Sequence, residues 1–134
     1  MMEDVLKAVK EEESKAERKG EELGEILYRK SENVSDFISL LESMGFEDIK
    51  IKYVGGEENP EEIIVTVGKT PTAEFYENNP ELKEELGEGP ACVLERGLFK
   101  KAAELRLGGD VEIEEVKCRV AGDDVCEFRI KRKG

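Results

Sequence analysis

The feature that most constrains this chain is where its hydrophobic period changes. Up to Gly45 the apolar residues recur at helical spacing, with Leu23, Ile26 and Leu27 followed by Val34, Phe37, Ile38, Leu40, Leu41 and Met44. Beyond it, Ile49, Ile51 and Tyr53 alternate with Asp48, Lys50 and Lys52, the two-residue period of a half-buried strand. The turn GGEENP and the run IIVTV at 63–67 then complete a hairpin. Helical spacing returns in ACVLERGLFKKAAELRLGG, opened by Gly89-Pro90 and closed by two glycines, with Leu94, Leu98, Phe99, Ala102 and Leu105 on one face. VEIEEVKCRV and DVCEFRI read as a second hairpin around Gly122. Helices and strands are segregated rather than alternating. This predicts an α+β fold, with N-terminal helices and a C-terminal-half helix packed on an antiparallel sheet of about four strands.

The finer reading places a charged helix over residues 3–18, with Val5, Leu6 and Val9 as a thin apolar stripe and Gly20 as an interruption. Ser31 or Asn33 can cap the helix that follows, and Gly45 can end it. Thr70, Pro71 and Thr72 read as loop, and AEFYENNPELKEELG as irregular chain leading to a short helix. At 134 residues, one domain over 20–134 preceded by a charged helix over 1–19 is the simplest organisation.

Several function classes are disfavoured by counts alone. A formal charge of −12 repels phosphate backbones and anionic lipid, so neither nucleic acid nor a membrane surface is an expected partner. The opening MMEDVLKAVKEEES turns acidic before any apolar stretch develops, so no signal peptide is expected, and no run approaches a membrane span. A cytoplasmic location follows as the expectation. There is no histidine, which removes Ser-His-Asp and Cys-His catalysis and the common histidine-containing zinc sites. VGKT at 67–70 resembles the end of a phosphate-binding loop, but the glycine that would begin such a loop falls at Ile63. The pairs Glu84-Glu85 and Gly20/Gly24 read as a solvated face and as incidental spacing.

The three cysteines carry more. Cys118 and Cys126 are separated by an even number of residues, so across a turn centred on Gly122 they face one side of the hairpin. A disulfide, a shared metal ion and a pair of small core residues all fit that placement. The preceding strand adds a constraint. Val111 and Ile113 set one inward phase, whereas Val116, Cys118 and Val120 set the other. A β-bulge near Glu114 and Glu115 resets the register, and it can turn Glu115 toward the side of Cys118.

The runs GPACVLERGLFKKAAE and EIEEVKCRVAGDDVCEF closely resemble the C-terminal half of the 4-vinyl-reductase domain family. Its hallmark is a Cys ahead of a Gly-containing helix, then E-x-x-C, G-D and C-x-F. The resemblance is strong over 89–128, looser over 20–88, and excludes the residues up to about Lys19. It implies the ligand-binding fold shared with haem-NO sensors and TRAPP transport subunits. In aromatic-sensing regulators such domains bind small hydrophobic effectors beside a structural zinc. Carried over, the zinc ligands fall on Cys92, Glu115, Cys118 and Cys126, with Arg96, Lys117 or Arg119 near enough to offset their charge. Three thiolates and a carboxylate close a tetrahedral shell, which makes the zinc structural.

The reductase activity in the family's name does not carry over, because no redox-cofactor motif accompanies it. The expectation is a non-catalytic domain that binds an apolar or aromatic small molecule, with Phe37, Phe75, Tyr76, Leu98 and Phe99 as wall residues. A scaffolding subunit whose pocket is filled by its own side chains is the alternative. A homodimer through residues 1–45 is expected, as is a separate signalling partner if the domain is a sensor.

Overall fold

The computed structural model describes residues 2–81 and 92–133, with side chains from Ser14 onward. Among these residues four helices and a four-stranded antiparallel sheet form an α+β fold, as the segregated pattern predicts. Helix α1 spans Met2–Lys30 and α2 spans Val34–Ser43. Strands β1 (Glu47–Val54) and β2 (Glu62–Lys69) form the first hairpin. Helices α3 (Pro71–Asn78) and α4 (Val93–Leu107) follow, and β3 (Val111–Lys117) with β4 (Cys126–Arg132) closes the chain. The sheet order is β1-β2-β4-β3, so the two hairpins join through β2 and β4.

One face of the sheet carries the core. Ile63, Val65 and Val67 of β2, Val111 of β3 and Cys126, Phe128 and Ile130 of β4 are all buried. Their alternate neighbours Glu112, Glu114 and Arg129 are exposed on the other face. Phe99 of α4 joins helices to sheet, with its ring 6.0 Å from Phe46 and 5.2 Å from Phe128. Each such large side chain removed from water contributes about 1.5–3 kcal/mol.

Three expectations require correction. Gly20 does not interrupt a helix, because α1 runs unbroken through it. Gly20 and Gly24 are a packing seam instead: a Cβ on either would overlap the α4 backbone at Leu94 or Leu98. Gly97 on α4 meets the α1 backbone at Glu17 in the same way. Removing three side chains lets the helix backbones approach, and the ion pairs Arg96–Glu17 (3.1 Å) and Lys100–Glu21 (3.4 Å) flank the contact. The second correction concerns 70–78, which is not loop and irregular chain. Thr70 is an N-cap whose hydroxyl accepts from the Ala73 amide, and Pro71 occupies the first helical position of α3. Third, α4 begins at Val93 with Cys92 as its N-cap, whereas Gly89-Pro90 lies outside the described residues, as does Glu84-Glu85.

The other helix ends follow the sequence. Asn33 caps α2 by accepting from the Asp36 amide at 2.9 Å, and Gly45 leaves the helix with φ +100. The stripe of Val5, Leu6 and Val9 lies outside the residues whose side chains are described. Lys69, the lysine of VGKT, ends β2 and pairs with Glu77 at 3.0 Å.

Candidate functional site

The bulge expected in β3 is present, one residue later than the alternation suggested. Glu115 pairs with Phe128 and Lys117 with Glu127, so Val116 is the extra residue. Glu115 therefore keeps the inward phase of Val111 and Ile113 and is only 7% exposed. Val116 is not inward but exposed, which corrects its assignment to the phase of Cys118 and Val120. The turn beyond is tied by the Cys118 amide donating to Asp123 Oδ2 at 2.8 Å, and Gly122 takes φ +108, where a side chain would be strained.

These local choices bring Cys92, Glu115, Cys118 and Cys126 together. All four are buried, and one ligand atom from each lies within 4.8 Å of the others. The Cys92 and Cys126 sulfurs are 3.8 Å apart. Two sulfurs on a tetrahedral zinc, each at about 2.3 Å, would be separated by roughly 3.8 Å. One feature is hard to satisfy by protein alone. Glu115 Oε1 accepts from the Cys92 amide at 3.2 Å, but Oε2 is buried with no hydrogen-bond partner. An orphaned buried carboxylate oxygen is costly, and a cation among the three sulfurs satisfies it.

The electrostatics agree. Burial, then the neighbouring Cys118, pushes the Glu115 carboxyl up to about 7. Hydrogen bonding with Cys118 is the main cause that raises Cys126 to about 11 and, with Cys126, holds Cys92 far above the usual thiol range. Four acidic groups packed without a positive partner favour their protonated forms. A metal ion reverses that preference. The residues present fit one with thiolate affinity: three soft donors and one hard donor in a closed, four-cornered set.

The groups around the cluster differ from those the sequence suggested. Arg96 pairs with Glu17, and Arg119 with Glu77 at 2.8 Å, so neither guanidinium is directed to the sulfurs. Arg119 instead offers its backbone amide to Cys126 Sγ at 3.5 Å. The Thr70 hydroxyl lies 3.2 Å from Cys92 Sγ, and Cys92 sits at the positive end of α4. Beneath this, Glu95 is fully buried and accepts from the Thr72 hydroxyl at 2.6 Å and the Thr72 amide at 3.1 Å. Burial raises its carboxyl above the ordinary range. Thr70, Thr72 and Glu95 were not singled out by the sequence reading. The cap signature Thr-Pro-Thr was their only available signal.

A second feature lies between α1, α2, α4 and the inner face of the sheet. It is a cleft of about 200 Å³ open to solvent. Phe37 and Phe99 line it, with Ile63, Val65, Ala103 and Ile130 as buried walls. Tyr28, Tyr53 and Arg106 stand nearer its mouth. Of the other wall residues suggested by sequence, Leu98 is buried in the core beside the glycine seam. Phe75 and Tyr76 sit on α3, ring against ring at 5.4 Å, with Phe75 half exposed. These three do not line the cleft. Among the described residues no helix is long and apolar enough to cross a membrane.

Comparison with known proteins accords with this architecture. A vinyl-4-reductase family protein from Methanocaldococcus jannaschii superposes with a TM-score of 0.64 at 18% identity, over 89% of this chain and 68% of that one. The phenol-responsive sensory domain of the transcription activator PoxR, solved with phenol, gives 0.61 at 12% identity, over 90% and 62%. A trafficking protein particle complex subunit 3 from Naegleria fowleri, covalently bound to palmitic acid, gives 0.59 at 21% identity, over 99% and 89%. At these identities the likeness is one of fold. No curated protein matches the chain in sequence. The family model of the vinyl-4-reductase domain matches residues 72–132, the stretch that holds all four clustered ligands, and the chain thus carries a domain of that family there.

Proposed function

We propose that this chain is a non-catalytic small-molecule-binding domain. It takes a single apolar or aromatic group into the cleft, and a structural zinc on Cys92, Glu115, Cys118 and Cys126 fixes the frame. The observation that carries the reading is the cleft itself, whose buried walls are wholly apolar. At about 200 Å³ it is smaller than a drug-sized pocket. It suits one ring, since a dry cavity of roughly 150 Å³ accommodates benzene. The phenol-bound sensory domain of the same fold makes a ligand role reasonable here, though that ligand belongs to that protein.

The zinc assignment rests on the orphaned Glu115 oxygen and on the 3.8 Å sulfur separation. Four protein ligands leave no position for water, so the metal joins the start of α4 to the last hairpin and activates nothing. Three thiolates and a carboxylate on a dication leave a charge of about −2. The Thr70 hydroxyl, the Arg119 amide and the α4 N-terminus face that charge.

The small size of the cleft favours a second reading, a scaffolding subunit in which Phe37 and Phe99 occupy most of the space a ligand would need. A thermal-shift and calorimetric screen of single-ring compounds separates the two. Binding that is lost in Ala103→Phe, which fills the cleft, supports the ligand domain. A screen with no binder supports the scaffold.

A further inference from the structure

We propose that the cleft selects an amphiphile, one ring or short branched chain bearing a carboxylate, and that Arg106 reads the acid at the mouth. This rests on the cleft being a ligand site and names the class of ligand it takes. The polar groups are distributed unevenly. The most buried lining residues, Phe99, Ile130, Val65 and Ile63, are all apolar, whereas the charged ones, Glu32 and Arg106, are exposed. A ligand must therefore enter apolar end first and leave any polar group at the rim.

Among the described residues, Arg106 is the only cation that lines the cleft. It lies over the Tyr53 ring, 4.9 Å from the centroid. Stacking of this kind fixes the guanidinium plane and leaves its edge free to donate. A single hydrogen bond, to the Glu57 carbonyl at 3.3 Å, uses one of its five N–H groups. Among the described residues it forms no ion pair, in a chain with twelve more acids than bases. Arg29, Arg96, Arg119 and Arg129 each pair with a glutamate. An arginine held in place at the edge of an apolar cleft, with unused parallel donors, matches the two oxygens of a carboxylate. Glu32 on the same rim disfavours a second negative charge, which limits the ligand to a monoacid.

The test uses the full chain with benzoate and cyclohexanecarboxylate against their neutral amides, followed by calorimetry and by tyrosine fluorescence. The optical signal is interpretable because the chain has no tryptophan and two of its three tyrosines line the cleft. The acids should bind about 3–10-fold more tightly than the amides, the scale of a partly exposed charge-assisted pair. That margin should shrink in 0.5 M salt, a concentration at which the screening length is roughly 4 Å. Arg106→Gln should bring the acids down to the amides while amide binding stays as in wild type. Arg106→Lys, which keeps charge but lacks the fork, should fall between. Equal binding of acid and amide by wild type overturns the proposal while leaving the ligand-site reading intact. An equal loss of both in Arg106→Gln also overturns it, since the residue would then only pack over Tyr53. If neither acid nor amide binds, the ligand-site reading fails and this inference fails with it.

Discussion

Glu115 is the residue whose surroundings make least sense without a cation. One of its oxygens is served by the Cys92 amide and the other by nothing, at a position only 7% exposed. Cys118→Ser and Cys126→Ser should each abolish zinc retention and lower stability by at least about 3 kcal/mol, because apparent binding energies of structural zinc reach roughly 10–16 kcal/mol. Cys→Ala in metal-stripped protein reports packing alone and should cost about 1–2 kcal/mol. Glu115→Gln should weaken retention less than either cysteine change. Wild-type protein purified without chelator that contains no zinc by elemental analysis would sink the metal reading. The pH response provides a separate check. In metal-free protein Glu115 has a folded pKa of about 7, above its ordinary 4.5. Its proton is held more tightly in the folded state, so its contribution is complete below about 4.5 and is lost as pH rises through 7. Denaturant melts of stripped protein should therefore show stability falling across that window, whereas zinc-loaded protein should gain stability as its ligands lose protons. At this scale the sequence was informative, since the conflict of alternations around Glu114 requires a bulge. It could not locate the bulge at Val116, because an exposed valine and a buried one read alike.

Elements were legible where one face was apolar and obscured where contact depended on missing side chains. The hairpins, α2 and the apolar side of α4 all follow from periodicity, which reports burial by large groups. The seam between α1 and α4 depends on Gly20, Gly24 and Gly97, and periodicity does not register a residue that contributes no apolar surface. Helix α3 was missed for a related reason: its eight residues bury only Ala73, so its evidence lay in the Thr70 cap and Pro71. The seam makes a quantitative prediction. Gly24→Ala should gain about 1 kcal/mol of helix propensity, yet its methyl would overlap the Leu98 backbone. Backbone cannot rotate away as a side chain can. A net loss of about 1–3 kcal/mol is expected from the forced separation. Gly109→Ala, which has nothing within 4 Å, should be close to neutral. If calorimetry shows Gly24→Ala melting at or above wild type, close backbone contact is not what holds α1 to α4.

The whole molecule is one-sided, with helices on the inner face of the sheet and an outer face studded with charge. That outer face, carrying Glu112, Glu114 and Arg129, is poorly suited to burial. A self-association surface is better sought among the helices. Helix α1 has 29 residues, about 43 Å of rise, whereas the strands beneath span eight residues at most, about 27 Å. A helix so much longer than its sheet extends past the body it packs on. Its neighbourhood also holds exposed apolar groups: Ile26 is 51% and Met44 38% accessible. Both lie within residues 1–45, for which we propose a homodimer. A specific interface requires roughly 1,200 Å² or more of total buried surface, and the length of α1 offers room for it. Light scattering at micromolar concentration should give about twice the 15.1 kDa chain mass. Ile26→Asp should shift the population toward the single-chain mass without lowering the melting temperature of the monomer, because the side chain is half in solvent already. A single-chain mass for the wild type at that concentration would remove the proposal. Dimers that persist in Ile26→Asp would move the interface elsewhere, since a charge buried without a partner at a packed contact costs several kcal/mol.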